Sequence, residues 1–586
     1  MLTEILHRFL TASSSKTSKF WVVFWLSLSV TFALIYSFIG LKGALSSEYV
    51  IQDDVRSHVF WMRRFFDPDL FPQDLITDYF QSVAPYGYAT LYRLMANLGI
   101  DPVIFNKILP LVLILFTTVY CFGVCLLILP VPAAGFIATL FLNQAIWSTP
   151  EVPSATPRAF LYPLFLAFLY YLLKRSLLPC LVIITLQGLF YPHCLFLSSG
   201  ILMLRVLRLK NRRLRFSSQR SDYLFCALGL SLSGIMLLPY ALKISDFNPV
   251  ISLAQAKTLP TLQESARKAF FFNDPLKYWF CGERSGMAPY DWCKNFPTIP
   301  AWIALFLPLL LVYRTRFPLT QKISVNVAVL SQIFLVSLGM FFTAHAFLFK
   351  LHLPSRYTKH SLRILVSLAG AIALIIILDA VLRACRKQTR AFAGGKQFLG
   401  LGLVVLLTFL IFRYPSFARK FPNANYVVGT EPSLYQFLAK QPQESLIASL
   451  SEEANNIPTF SRRSVLVSSE TANPYHWGYY RQIKQRLLDL MQAQYSQDLT
   501  AAQDLIEEYG VDFLLLDRTA FTPEYIEKNR WLRVVEPVAT EAVTRLRQGN
   551  MPALAKLQQS CSVFETPSLV VLQAECISRV KQESVD

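Results

Sequence analysis

The chain has 586 residues, of which 54% are hydrophobic and only 16% charged, and its formal net charge is +19. That balance excludes an ordinary soluble domain and predicts a polytopic α-helical membrane protein. In a soluble chain the basic excess would suggest nucleic acid. Here it gathers in short gaps between apolar runs, where it sets orientation, so no nucleic-acid partner is expected.

A bilayer crossing takes about 17 to 25 mostly apolar residues, fewer where neighbouring helices shield the segment. About eleven segments fit, near residues 20–41, 104–129, 131–147, 159–173, 177–191, 193–207, 222–243, 298–313, 324–343, 363–382 and 398–413. The first is too long for a signal-peptide core and reads as an uncleaved anchor, although "GLKGA" mimics a cleavage site. The stretch 177–207, broken at Tyr191, Pro192 and His193, fits either two short spans or one re-entrant hairpin. The basic gaps "KRS" at 174–176, "RVLRLKNRRLRFSSQR" at 205–220, "YRTRFPLTQK" and "RACRKQTRAFAGGK" all fall on the side of the N-terminus. By the positive-inside rule that side is cytoplasmic, which makes this a multi-pass protein of the plasma (inner) membrane with its C-terminus outside.

This arrangement divides the chain into a transmembrane domain, residues 1–413, and an extracytoplasmic α/β domain, residues 414–586. The transmembrane domain carries two large external loops, 42–103 and 244–297. In the C-terminal part, strand-like runs such as "SLIAS", "SVLVSS", "VDFLLLD" and "PSLVVLQAE" alternate with helical patterns near 475–494 and 499–509. Cys281 and Cys293 share the second loop and Cys561 and Cys576 flank strand-like runs of the C-terminal domain, so an oxidising location makes both pairs disulfide candidates. Neither pair has the further Cys or His ligands that zinc requires.

Residues 51–66 read "IQDDVRSHVFWMRRFF". Val55, Val59, Met62 and Phe66 repeat at helical spacing, which predicts an amphipathic helix lying on the outer membrane surface with Asp53 and Asp54 at its start. One Asp there is accounted for as a helix cap. Two exceed that need. A carboxylate at a membrane-facing cleft can serve as general base towards an acceptor, or hold a divalent cation, and its neighbour tends to raise its pKa. Asp78, further along the loop, is a secondary catalytic candidate.

The layout resembles the GT-C class of glycosyltransferases, which includes protein mannosyltransferases, oligosaccharyltransferases and the aminoarabinose transferases of lipid A. The resemblance covers the whole chain in architecture and rests on few residues. "QDDVRSHVFWMRRF" resembles the acidic first-loop motif, with Asp-Asp where other members have Asp-Glu. "ATPRAFLYPLFLAFLYYLLKR" resembles a Pro-Arg start to a middle span, and "HLPSRYTKHSLRI" a late external Arg motif. The resemblance implies transfer of a sugar from a polyprenyl-phosphate or polyprenyl-diphosphate donor to a glycan, lipid or protein acceptor outside the cytoplasm. Membrane lipid and the lipid-linked sugar are then the partners, and a divalent cation is the one cofactor the carboxylates could take.

The donor phosphate needs cations at headgroup depth. Arg158, His193, Arg356, Lys359, His360 and Arg363 map to external ends of spans and are the candidates for holding it. A lone Arg there can simply snorkel to headgroups, but four basic groups within residues 356–363 run against the positive-inside bias. Two rival classes remain: an inactive GT-C-like envelope scaffold, and a transporter. A transporter should show internal repeats and intramembrane acids, and Asp379 is the main acid within these spans.

Overall fold

The computed structural model describes residues 2–12, 19–210, 213–243, 247–264, 266–294, 299–386, 402, 404–413 and 421–580. A helix occupies each of the apolar intervals. Five are long and apolar enough to cross a membrane by length and composition: Lys19–Ala44, Pro102–Ile128, Arg220–Leu242, Val325–Ala346 and Pro354–Ala384. Shorter apolar helices fill the others: Pro132–Trp147, Pro157–Leu173, Leu177–Phe190, His193–Val206, Ile299–Val312 and Val404–Arg413. The start of the last interval, near 398, lies outside the described residues.

Local chemistry sets the helix ends. Asp101 caps Pro102–Ile128 by accepting from the N–H groups of Val103 (2.7 Å) and Ile104 (3.3 Å), and Pro102 occupies a first-turn position where no N–H is needed. The stretch 177–207 resolves into two helices joined at Tyr191–Pro192, because Pro192 cannot continue the first one. The N-terminal helix Leu2–Thr11 docks on the far end of the longest helix: His7 Nε2 lies 2.8 Å from Asp379 Oδ1, and Arg383 Nε donates to the same carboxylate at 2.9 Å. That pairing accounts for the one acid conspicuous within the spans.

Nine strands complete the described chain. β1 (Val50–Gln52) follows the first long helix; β2 (Leu207–Lys210) and β3 (Arg213–Phe216) make a hairpin in the most basic gap; β4 (Tyr426–Val428) opens the C-terminal region. The C-terminal domain contains β5 (Leu446–Ser449), β6 (Ser464–Val465), β7 (Phe513–Asp517), β8 (Ser562–Glu565) and β9 (Leu569–Gln573), in sheet order β6-β5-β7-β9-β8. β5 is parallel to β6 and β7, whereas β9 is antiparallel to β7 and β8. Helices Trp477–Tyr495 and Thr500–Tyr509 pack their apolar faces on this sheet, and Gly510 ends the second in the left-handed region (φ +67°). Both cysteine pairs, Cys281–Cys293 and Cys561–Cys576, are bonded.

One feature departs from the sequence expectations. The stretch after the acid pair is not a surface helix: a short turn, Val55–His58, passes into a 3-10 helix, Phe60–Phe65, in which Phe60, Trp61 and Met62 are all buried. Its apolar residues cover the whole circumference rather than one stripe, so burial wins over a surface position. The C-terminal region also joins the first loop through a strand pair. β4 pairs antiparallel with β1, from Val50 opposite Val428 to Gln52 opposite Tyr426, and so brings the C-terminal region against the acid pair that follows β1.

Candidate active site

Asp53 and Asp54 end β1 and begin the turn Val55–His58, yet neither carboxylate caps it. Asp54 occupies the N-cap position with helical φ and ψ (−70°, −12°) and makes no side-chain cap bond. Capping in this loop falls to Asp74, which accepts from the Thr77 N–H at 2.6 Å. The pair is therefore released for other partners, and the two carboxylates take different ones.

Asp54 is held by Arg158, whose Nη2 donates to its Oδ2, while Gln52 Oε1 accepts from the Asp54 N–H at 2.8 Å. Burial would raise the Asp54 pKa, but Arg158, with His58 and Arg356, outweighs it and holds the carboxyl below the usual range. Asp53 turns to a second set of groups. Arg56 donates to its Oδ1, Arg267 lies 3.4 Å from its Oδ2, and Asn425 of the C-terminal region donates Nδ2–H to Oδ2 at 3.1 Å. Arg56 and Arg267 both also pair with Glu470 from the C-terminal domain. Burial, despite Arg267, leaves the Glu470 carboxyl above its ordinary value, with Asp53 adding to the rise.

The late basic cluster divides in the same way. Lys359, His360 and Arg363 rise from the helix Lys359–Arg386 onto one buried carboxylate, Glu151: Lys359 Nζ to Oε1 at 2.5 Å, His360 Nδ1 to Oε2 at 3.1 Å and Arg363 Nη1 to Oε2 at 2.5 Å. Tyr162 donates its hydroxyl to the same carboxylate at 3.1 Å, and Arg363 Nη2 reaches Asp291 inside the Cys281–Cys293 loop. These three basic residues, expected to face a phosphate, are neutralised from within the fold. Arg356 is different. It sits in the 3-10 turn Pro354–Tyr357, off the face that meets Glu151, and makes no salt bridge or side-chain hydrogen bond to any described residue. Its charge bears on Asp54 and His58 on one side and on Tyr191, His193 and His352 on the other.

His193 stacks obliquely between Tyr191 and His352, with ring centroids 5.1 and 5.2 Å away, and its Nδ1 is buried without a partner. His352 adopts φ +61°, a left-handed conformation that is costly for a non-glycine residue and concentrates at functional sites. Asp78 is not part of this assembly: it is half-exposed on the helix Leu75–Val83 and pairs with Arg64 at 2.7 Å. In the C-terminal domain, Tyr479 stacks on Tyr79 with centroids 3.7 Å apart, and His476 Nδ1 lies 2.8 Å from the Tyr79 hydroxyl, which is packing between the domain and the first loop. Among the described residues no group of three or more His, Cys, Asp or Glu is placed to hold a metal ion.

Sequence reasoning passed over Glu151, Glu470, Asp291, Arg56, His58 and Arg267. Glu151 carried a signal, since it is the sole acidic residue between Asp101 and Asp222. Glu470 and Arg267 carried none, because Arg267 meets Asp53, and Glu470 meets Arg267, across more than two hundred residues of chain.

No family model and no curated protein sequence matches the chain. Among solved structures, the apo oligosaccharyltransferase of Archaeoglobus fulgidus superposes with a TM-score of 0.58 at 11% identity, over 90% of this chain and 73% of that one. ArnT from Cupriavidus metallidurans, bound to undecaprenyl phosphate, gives 0.46 at 13% identity over 95% and 98% of the two chains. Arabinofuranosyltransferase AftD from Mycobacteria gives 0.47 at 12% identity, over 86% of this chain and 37% of that one. The first superposition, together with the apolar helices, supports one conclusion: this is a multi-pass membrane protein with the fold of the GT-C glycosyltransferases.

Proposed function

We propose that the protein is an integral membrane glycosyltransferase that moves a hexosyl or pentosyl group from a polyprenyl-(di)phosphate donor to an acceptor on the extracytoplasmic side. The observation that carries this reading is the division of the acid pair between two cation sets, with Arg356, on the Asp54 side, pairing with no carboxylate among the described residues. An unpaired, partly buried guanidinium is costly unless an anion completes it, and a lipid-linked phosphate is the anion available at headgroup depth.

In this reading the donor phosphate lies against Arg356 and Arg158, with the Tyr191, His193 and His352 rings along its flank. Lys359, His360 and Arg363 position that wall from behind through Glu151 and do not touch the phosphate. The acceptor hydroxyl gives its proton to Asp54 as its oxygen attacks the anomeric carbon. The bond from that carbon to the phosphate oxygen breaks, and the lipid phosphate leaves with the electron pair onto Arg356. Direct displacement inverts the anomeric centre. Donor binding also activates the base, because the phosphate takes up the positive charge that holds the Asp54 pKa down. Asp53 keeps Arg56 and Arg267 in place beside it. A divalent cation held by Asp53 and Asp54 would compete there with Arg56 and Arg158, which now pair with them.

Transfer assayed on the purified chain with a polyprenyl-phosphate sugar tests this reading. Asp54→Asn should lose about two orders of magnitude or more in turnover, the contribution typical of a positioned base, with the melting temperature little changed. Asp53→Asn should lose less. Arg356→Ala should weaken donor use by roughly ten- to a hundredfold, with Arg356→Lys recovering part. Near-wild-type turnover in Asp54→Asn would overturn the assignment of Asp54 as the base, whereas no transfer by the wild-type chain would leave the inactive-scaffold reading in its place.

A further inference from the structure

The Asp53 side of the acid pair opens into a cleft of about 1090 Å³ between the second loop and the C-terminal domain. Its lining takes Arg56 from the first loop, Arg267 and Lys268 from the second, and Lys528, Arg530 and Arg533 from the C-terminal domain; the carboxylates among its lining residues are Glu452 and Glu524. A cleft with six cations and two acids is strongly biased towards an anion. The loops and the C-terminal domain differ in how far that charge is already used. Arg56 and Arg267 hold Asp53 and Glu470, and Lys268 Nζ donates to the carbonyls of Glu470 (3.2 Å) and Ala472 (2.7 Å). Lys528 and Arg533 are exposed and pair with no carboxylate among the described residues.

Tyr525 and Trp531, both half-buried, also line the cleft from the C-terminal domain, as do Thr519, Thr522 and Asn529. Aromatic faces pack against the C–H faces of a sugar ring, hydroxyl and amide groups match its hydroxyls, and lysine and arginine match an attached acid. The volume lies at the top of the range of about 300–1,000 Å³ usual for small-ligand sites, so more than one sugar unit fits. Arg56 and Arg267 belong both to the cleft and to the coordination of Asp53, which places one end of the cleft against the acid pair.

We propose that this cleft is the acceptor site and that the acceptor is an anionic saccharide, bearing phosphate or carboxylate groups that lie on Lys528 and Arg533. The inference rests on the transferase reading for the word acceptor, but the binding of an anionic sugar does not depend on turnover. Charge at Lys528 and Arg533 selects the acceptor; the donor is selected on the opposite side of the acid pair, at Arg356.

Calorimetry on the full chain in detergent, with glucose 6-phosphate, glucuronate and glucose as probes, tests it. Binding of either charged sugar at least about tenfold tighter than glucose is expected, and the tighter one names the acid. The double variant Lys528→Glu, Arg533→Glu alters exposed side chains and should keep its melting temperature while losing about tenfold or more in affinity for the charged sugar. Arg356→Ala should retain that affinity. Equal binding of glucose, full binding by the double variant, loss of binding in Arg356→Ala or no binding of any probe would each overturn the proposal. If Asp54→Asn keeps its turnover while the cleft still binds charged sugars, the transferase assignment of Asp54 falls and the anionic site stands.

Discussion

At the scale of single residues, the site is defined by which charges are satisfied and which are not. Asp53 and Asp54 are sequence neighbours and face different partners, because successive side chains leaving the end of β1 diverge. His58 is the sensitive reporter of this arrangement. Burial pushes its pKa down from 6.5 to about 4; Asp54 opposes that, and Arg158, Arg356 and Lys268 add to it. The folded value lies below the unfolded one, so the unfolded chain binds the extra proton first. The associated stability is fully present above about pH 6.5 and is lost as pH falls towards about 4. We therefore expect thermal unfolding in detergent to show wild type losing on the order of 1–3 kcal/mol more than His58→Gln between pH 7 and pH 5. Parallel losses in the two proteins would mean that His58 is not held neutral in the fold.

At the scale of elements, the helix Lys359–Arg386 and the segment holding Glu151 are locked by one buried ion cluster. Lys359 and Arg363 are one turn apart, so both reach the same carboxylate, whereas Arg356 belongs to the preceding 3-10 turn and escapes it. Asp291 extends the cluster into the disulfide loop. Removing the central partner of a buried ion cluster leaves uncompensated charge, so Glu151→Gln should cost about 3–5 kcal/mol. Asp291 is partly exposed, and Asp291→Asn should cost only about 1 kcal/mol. Melting temperatures of the two variants in detergent check the order; equal losses would show that Glu151 is not the hub.

At the scale of the whole molecule, the reading requires β1, the second loop and the C-terminal domain to share one side of the membrane, because Asp53 contacts Asn425 and Arg267 directly. With the basic gaps on the other side, an impermeant thiol reagent on intact cells should label Cys281, Cys293, Cys561 and Cys576 only after reduction, and should leave Cys385 unlabelled. Labelling of Cys385 in unbroken cells would reverse the orientation.

Much of this protein was legible before any contact was known. Runs of apolar residues reveal membrane helices because each helix satisfies its own backbone hydrogen bonds, so length and hydropathy suffice; the strands around "VDFLLLD" and the helix ended by Gly510 are local in the same sense. The acid pair stood out for a similar reason, since two adjacent carboxylates exceed the needs of one helix start. What the tertiary structure alone decided is which charges meet. The sequence marks Arg356, Lys359, His360 and Arg363 as equals, yet Glu151, more than two hundred residues upstream, neutralises the last three, and the first makes no ion pair among the described residues. Arg267 reaches Asp53, and Glu470 reaches Arg267, across comparable distances in the chain. A buried charge is stable only beside its partner, and no periodicity in the sequence records a partnership made by folding.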